Sequence, residues 1–259
     1  MMILDKGNKG IFQMEFRSDQ YVYETHLHTS QGSACGNNTG REMAIAHKQA
    51  GYTGIIVTDH FFYGNTAVDR ELDWQDWVHA YCAGYRDAKA AGDEIDLDVF
   101  FGWESGYNGT EFLIYGLDED WLMKHSEIRD ASVREQYDIV HQAGGIVLQA
   151  HPYREEFYIP EVRLFPDDVD GIEVFNACNK LTDGRDLYND RAARYALEHD
   201  FPITCGSDIH CNEPLMSGTA FDRRLKDIHD FIDQVMNRNC EMIKNSKYAD
   251  EIRDNQRNP

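Results

Sequence analysis

Short apolar runs that alternate with stretches of helical periodicity constrain what this chain can fold into more than any other feature. YVYETHL at 21–27, GIIVT at 54–58, DLDVFFG at 96–102, FLIYG at 112–116, IVLQA at 146–150, GIEVF at 171–175 and FPITC at 201–205 have the length and composition of strands. Helical patterns lie among them. Thr39 and Glu42 open one as a capping box and Gly51 stops it; a long amphipathic stretch runs from Trp74 to Ala91; others cover 130–143, 184–199 and 225–239. The alternation predicts a mostly parallel α/β sheet with right-handed crossovers. Seven strands in 259 residues fit a distorted, TIM-like (β/α) barrel better than an open sheet, in a single domain spanning 1–259.

Residues able to hold metal stand at the carboxyl ends of these runs. His26 and His28 end the first, Asp59 and His60 the second and Glu104 the third, while His151 follows the run at 146–150 and Asp208 and His210 follow the run at 201–205. In a parallel barrel those ends share one rim, so residues distant in sequence converge. His26 and His28 are two apart, a spacing that puts both on one face of a strand, and Asp208 and His210 in GSDIH repeat it. Each has an ordinary alternative when taken alone: Asp59 can cap a loop, His60 can be a satisfied core imidazole, and Glu104 can be a surface acid. Their recurrence at five strand ends, with apolar residues behind them, points to a shared multi-metal centre. His47, His79, His125, His141, His199 and His229 fall away from strand ends and read as surface or packing residues.

THLHTS, VTDHFF, GWES, QAHPYR and GSDIH, in this order, resemble the polymerase and histidinol phosphatase (PHP) family over roughly 20–220. The resemblance implies a distorted seven-stranded barrel, two or three divalent metal ions and phosphoester hydrolysis. It implies that His26, His28, Glu104 and Asp208 hold one metal, that Glu104 bridges to a second bound also by His151, and that His60 and His210 face a third. Asp59 would orient a neighbouring imidazole. Two positions depart from the family pattern. Glu111 in GTEFLIYGL stands where a histidine is usual and would bind the second metal through oxygen. SQGSACG lacks the usual His or Asp after the first motif, leaving Ser33 and Cys35, and Cys35 is either a ligand or a buried thiol.

Imidazole combined with carboxylate suits Zn, Mn or Fe alike. Water activated by such cations would attack phosphorus in line. Asp208 and His210 are candidates for returning a proton to the leaving group. Arg154 in HPYR is the first candidate for a phosphate fork, with a surface pairing to Glu155 or Glu156 as its alternative. Asn176, Lys180 and Arg185, after the run at 171–175, are candidates for substrate contact.

Charge narrows the substrate. Twenty-five basic residues against 46 acidic ones give a formal charge of −21 with no Lys/Arg run of five or more, so polymeric nucleic acid and anionic membranes are not expected partners. A small phosphorylated metabolite or nucleotide stays compatible, because bound cations reverse the potential in a pocket. The N-terminus MMILDKGNKGIFQMEF has no apolar core of signal length, and the six cysteines include no Cys-x-x-Cys pair; reduced thiols and a cytoplasmic location are the expectation. Two other function classes remain open: a metallohydrolase of a carbon-centred substrate, amidohydrolase-like, and a catalytically silent metal-binding module. The sequence does not determine the oligomeric state.

Overall fold

The computed structural model describes residues 16–179, 186–214 and 217–244. Among them nine strands make one sheet: β1 (Tyr21–Leu27), β2 (Gly54–Val57), β3 (Asp98–Tyr107), β4 (Thr110–Tyr115), β5 (Ile146–Gln149), β6 (Gly171–Asn176), β7 (Ile203–Gly206), β8 (Gly218–Phe221) and β9 (Glu241–Ile243). Their order is β7-β6-β5-β4-β3-β2-β1-β8-β9. The β1–β2–β3 and β5–β6–β7 sets are parallel, whereas β4, β8 and β9 run antiparallel to their partners.

The sheet curls into a nearly closed barrel. The end of β1 meets the segment after β7, where the His28 amide donates to Ile209 O at 2.9 Å and the Ile209 amide to His26 O at 3.2 Å. Lower down, Thr25 Oγ1 donates to Cys205 O at 3.1 Å. Closure on that seam brings the first and last motifs side by side.

The expected count of seven strands is therefore corrected to nine, and the regular strand–helix alternation of a TIM-like barrel is not followed. The hairpin β3–β4 is one reason. Its turn, Asn108-Gly109, takes positive φ at both positions (49° and 85°), the geometry that tightly joins antiparallel strands. β3 consequently runs past Glu104, which pairs with Leu113 across the hairpin instead of ending its strand. The helix expected over Trp74 to Ala91 is two, α2 (Trp74–Tyr81) and α3 (Ala83–Ile95), broken at Cys82. The other helices are α1 (Gly40–Gln49), α4 (Glu119–Lys124), α5 (Val133–Gln142), α6 (Leu187–Glu198) and α7 (Ile228–Met236). Capping boxes at Thr39–Glu42 and Ser132–Glu135 fix the starts of α1 and α5.

Strand alternation sorts side chains between the barrel interior and the helices outside. Ile55 and Val57 pack on the side of α1 and α3, while Ile56 joins Leu113, Tyr115, Leu148 and Phe231 in the interior. Ile172 and Val174 pack outward with α5 and α6, so Glu173 between them faces in. Val22 and Leu27 on β1 are five apart yet pack in the same outer cluster; the register irregularity between Glu24 and Leu27 reconciles this by adding a residue. Outside, Trp77 stacks on Tyr81 (4.7 Å between rings) and on Trp74 (5.4 Å). Burial of each such ring contributes about 1.5–3 kcal/mol. This apolar ring of helices supports a rim whose inner face is polar.

Candidate metal centre

Glu104 is the hub of that rim. Its Oε1 lies 3.2 Å from both His26 Nε2 and His151 Nε2, and its Oε2 lies 2.7 Å from His60 Nδ1 and 3.6 Å from His28 Nε2. Asp208, on the segment that closes the barrel, puts Oδ1 3.0 Å from His28 Nε2 and 3.5 Å from His26 Nε2. Glu111 comes from the opposite direction: β4 is antiparallel, so its start reaches the rim where parallel strands end, 3.4 Å from His151 Nε2 and 3.9 Å from His60 Nδ1. His210 completes the group, with Nδ1 2.7 Å from the Asp208 carbonyl and its ring stacked on His28 at 4.3 Å. All eight side chains named from sequence as metal candidates thus lie in one cluster. His210 is the most open of them.

Each inner imidazole is held by a partner behind it. His26 Nδ1 donates to Glu173 Oε1 at 3.0 Å, and His28 Nδ1 donates to Ser33 Oγ at 3.1 Å. In the neutral rings both assignments put the single proton on Nδ1 and turn Nε2, the nitrogen a cation would take, toward the carboxylates. Ser33 in turn donates to Asp59 Oδ1 at 2.7 Å and accepts from the His60 amide at 2.9 Å. Asp59 also accepts from the Thr29 amide and hydroxyl at 2.6 and 2.7 Å, so it acts on the cluster through Ser33 and faces away from it. Glu24 accepts from the amides of His26 and Ser207, both at 2.9 Å, tying β1 to the segment that carries Asp208.

Three buried ligand atoms, His26 Nε2, His60 Nδ1 and Glu104 Oε2, make no well-directed hydrogen bond and meet one another and the neighbouring ring nitrogens and carboxylates in ion-pair contacts, a crowding of lone pairs and charge that ligation would relieve. The donor set of imidazole nitrogens and carboxylate oxygens is that of divalent Zn, Mn or Fe. Trios close enough to share an ion are His26–His28–Asp208, His60–Glu104–Glu111, His28–His60–His210 and His26–His151–Glu173. The residues fit divalent cations.

The electrostatics of the metal-free cluster are those of buried ion pairs. Burial works against charge on His26, but Glu173, Asp208 and Glu104 outweigh it and hold the ring well above its ordinary value. Burial likewise opposes charge on Glu104 and Asp208; His26 with His60 in the first case, and His26 with Arg154 in the second, bring both carboxyls well below theirs. His28, pressed by burial and by His210 and His60, is held well below its ordinary value and stays neutral. Burial lifts Glu24 to about 7 and Asp59 to about 6.

Arg154 is not a surface arginine. Its guanidinium reaches Asp208 Oδ2 at 2.7 Å, Asn176 Oδ1 at 2.9 Å and Asn179 Oδ1 at 2.9 Å, and Glu155 pairs instead with Arg191. Asn176 donates to Glu173 Oε2 at 2.9 Å, so it supports Arg154 and Glu173 together. Tyr158, half exposed, lies within hydrogen-bonding reach of Arg154. Cys35 is half-buried, with its thiol within reach of both His60 and His210; burial raises it, but the two rings bring it down to about 6. Lys180 and Arg185 lie outside the described residues. Glu24, Glu173, Asn179 and Tyr158 were not picked out from sequence. A carboxylate inside the apolar run GIEVF, and another two residues before His26, are the signals that mark the first two.

No family model matches the chain, and no curated protein matches it. Solved structures do. A two-domain protein from Bacteroides vulgatus containing a predicted PHP-like metal-dependent phosphoesterase superposes with a TM-score of 0.66 at 14% identity, over 92% of this chain and 69% of that one. The chain has the PHP-like fold. At TM-scores of 0.52, that fold extends to PsfC from Pseudomonas syringae, 16% identical over 83% of this chain and 88% of that one. It extends equally to an amidohydrolase from Chromobacterium violaceum with bound sulfate and no metal, 15% identical over 87% and 99%. Identities this low carry the PHP-like architecture and leave the chemistry to the site. Among the described residues no helix is long and apolar enough to cross a membrane.

Proposed function

We propose that the chain is a metal-dependent phosphoesterase acting on a small phosphorylated metabolite or nucleotide. The observation that carries this reading is the double engagement of Asp208, whose Oδ1 faces His28 and whose Oδ2 pairs with the buried Arg154 guanidinium. One carboxylate thereby joins a cation-binding cluster to a fixed positive charge. A neutral substrate has no use for that charge, whereas a phosphoryl group draws on both.

His26, His28, Glu104 and Asp208 would hold one cation, Glu104, His151 and Glu111 a second, and His60 with His210 a third. The chemistry supplied by cations so held would be a water acidic enough to attack near neutral pH and an offset to charge on phosphoryl oxygens. The chain's own groups do the rest. Glu173 and Ser33 hold the Nδ1 protons of His26 and His28 and so aim both Nε2 atoms inward, where a cation would take the place of a proton. Arg154, fixed by Asn176 and Asn179, orients phosphate without having to be ordered on binding. Substrate enters beside His210, the open side of the cluster, and the leaving oxygen takes up its proton there.

A second reading, hydrolysis of a carbon-centred substrate, is supported by the shared fold with an amidohydrolase. Reconstituting the protein with Zn, Mn or Fe and assaying aryl phosphate monoesters, diesters, amides and esters separates the two. Phosphate release that disappears in His26→Ala and Asp208→Asn together with bound metal is the expected result. Turnover confined to amides or esters replaces the first reading with the second, and metal uptake without any turnover leaves a silent module.

A further inference from the structure

The two asparagines that hold Arg154 are themselves held by one residue, Asn189, in the first turn of α6. It is buried and uses every hydrogen-bonding position of its side chain. Its Oδ1 accepts from the Asn176 amide at 3.0 Å and from Asn179 Nδ2 at 2.6 Å. Its Nδ2 donates to Asn176 O at 3.0 Å and to Asp186 Oδ2 at 2.7 Å. A carboxamide has two donor hydrogens and an oxygen with two lone pairs, so none is left over. Its orientation is decided as well, because a backbone N–H only donates and a carbonyl only accepts, and Asn189 meets one of each on Asn176.

These bonds fill a gap in the sheet. The ladder between β5 and β6 stops at Ile172, and by Asn176 the Asn189 carboxamide bonds the backbone N–H and C=O of β6 as a neighbouring peptide would. Both arms then converge on the guanidinium. Having given Nδ2 to Asn189, Asn179 turns Oδ1 to Arg154 Nε at 2.9 Å. Asn176, its backbone fixed on Asn189, places Oδ1 2.9 Å from Nη2, while Nη1 meets Asp208 Oδ2 at 2.7 Å. Each guanidinium nitrogen therefore has a partner, and two of the three partners depend on Asn189.

We infer that Asn189 is the positioning residue for Arg154: by fixing Asn176 and Asn179 it presets the guanidinium for a phosphoryl group before substrate arrives. The inference rests on the proposed function and deepens it. An arginine left to swing has to be ordered on binding, which weakens affinity. Asn189 acts through Arg154, so the two substitutions are expected to be non-additive, whereas a general loosening of α6 would add to the loss of the guanidinium.

The full chain, loaded with zinc and freed of excess, is titrated with inorganic phosphate in a calorimeter. Asn189→Ala is expected to weaken phosphate binding about tenfold, to keep its zinc by elemental analysis, and to add nothing further in the Arg154→Met background. Equal weakening in both backgrounds overturns the inference, because the effect then bypasses Arg154. Zinc loss from Asn189→Ala overturns it too, by placing the effect on the cation cluster, as does undiminished affinity in that variant or an unaltered protein that binds no phosphate. Should Asn189→Ala fail to fold, Asn179→Ala decides: it cuts the side-chain link and spares the pairing of Asn189 with Asn176, and full phosphate affinity in it refutes the inference. Aryl phosphate turnover is read separately, with KM expected to rise more than kcat falls; a change confined to kcat counts against a role in positioning. Phosphate binding that follows the expected pattern in a protein without phosphoester turnover would leave Asn189 in its role and remove the proposed function.

Discussion

Glu173 Oε1 accepts the proton of His26 Nδ1 at 3.0 Å, and this one hydrogen bond decides which face of the ring is offered to Glu104 and Asp208. Both residues are fully buried. A carboxylate behind a ligating imidazole fixes the tautomer and raises the basicity of the free nitrogen, and losing such a partner typically costs 10–100-fold in metal affinity. Glu173→Gln keeps the shape and removes the charge. Affinity for zinc, measured by competition with a chromophoric chelator, is expected to fall by about 10–100-fold while the circular dichroism spectrum is retained. An unchanged affinity would show that the ring is oriented by packing alone.

Gly206 gives a sharper test, because it contributes no ligand. A Cβ at this position would stand 2.7 Å from Glu173 Oε1 and 2.7 Å from His26 Cβ, both closer than packed atoms approach. Gly206→Ala must therefore displace the pair just described. Metal content by elemental analysis should drop although every candidate ligand is intact. Full metal loading of Gly206→Ala would mean that β6 and β7 can separate at no cost to the site.

Arg154 and Asp208 form a buried pair, 10% and 4% exposed, at 2.7 Å. Removing one member of such a pair leaves the other charged and poorly solvated, at about 3–5 kcal/mol. Arg154→Met preserves much of the volume and is expected to lower the unfolding free energy of the metal-free protein, measured by urea titration, by an amount in that range. It should also raise KM for phosphoesters more than it lowers kcat, since the guanidinium serves ground-state binding as well as reaction. A stability change below about 0.5 kcal/mol would mean that Asp208 is satisfied by His26 and His28 without it.

What could be read from the residues divides along physical lines. Seven of the nine strands announce themselves as largely apolar runs, because a strand buried on both faces is mostly apolar, with the polar residues of β1, β3 and β6 kept for the rim. β8 (Gly218–Phe221) and β9 (Glu241–Ile243) are four and three residues long, too short for any periodicity to register, and they are held by pairing with β1 and with each other. The Asn108-Gly109 dipeptide is a hairpin turn signal that the expectation of uniform strand–helix alternation passes over. Strand ends pointed to seven of the eight clustered side chains because barrel geometry alone makes such ends converge; Glu111, at the start of antiparallel β4, is reached only through the family resemblance. Glu173, Glu24 and the partners of Arg154 stayed hidden for the opposite reason. Their role depends on which face of a strand looks inward, and the irregularity in β1 shifts that phase at a point where local sequence gives no sign.

The pH response separates the metal-free chain from the loaded one. His26 and His60 are raised well above their ordinary value of 6.5, so what they contribute to stability is fully present below about pH 6.5 and is lost as the pH climbs through their folded values. Glu24 and Asp59, lifted to about 7 and about 6, act in the same direction, because their charged forms are buried at a cost. Glu104 and Asp208, held well below 4.5 and 3.8, supply stability above those values and lose it as pH falls further. Below about pH 6.5 the loss from Glu24 and Asp59 is offset by the gain from His28, which is held low; above it the loss from His26 and His60 outweighs the gain from the lowered Cys35 thiol, so the metal-free protein should melt at progressively lower temperature from about pH 6.5 toward about pH 8. Ligation reverses the slope, since metal competes with protons for the same imidazoles and gains affinity as they depart. Thermal melts with a chelator and with saturating zinc, taken across this range, should diverge as pH rises. Parallel curves would mean that protons and metal do not share these sites.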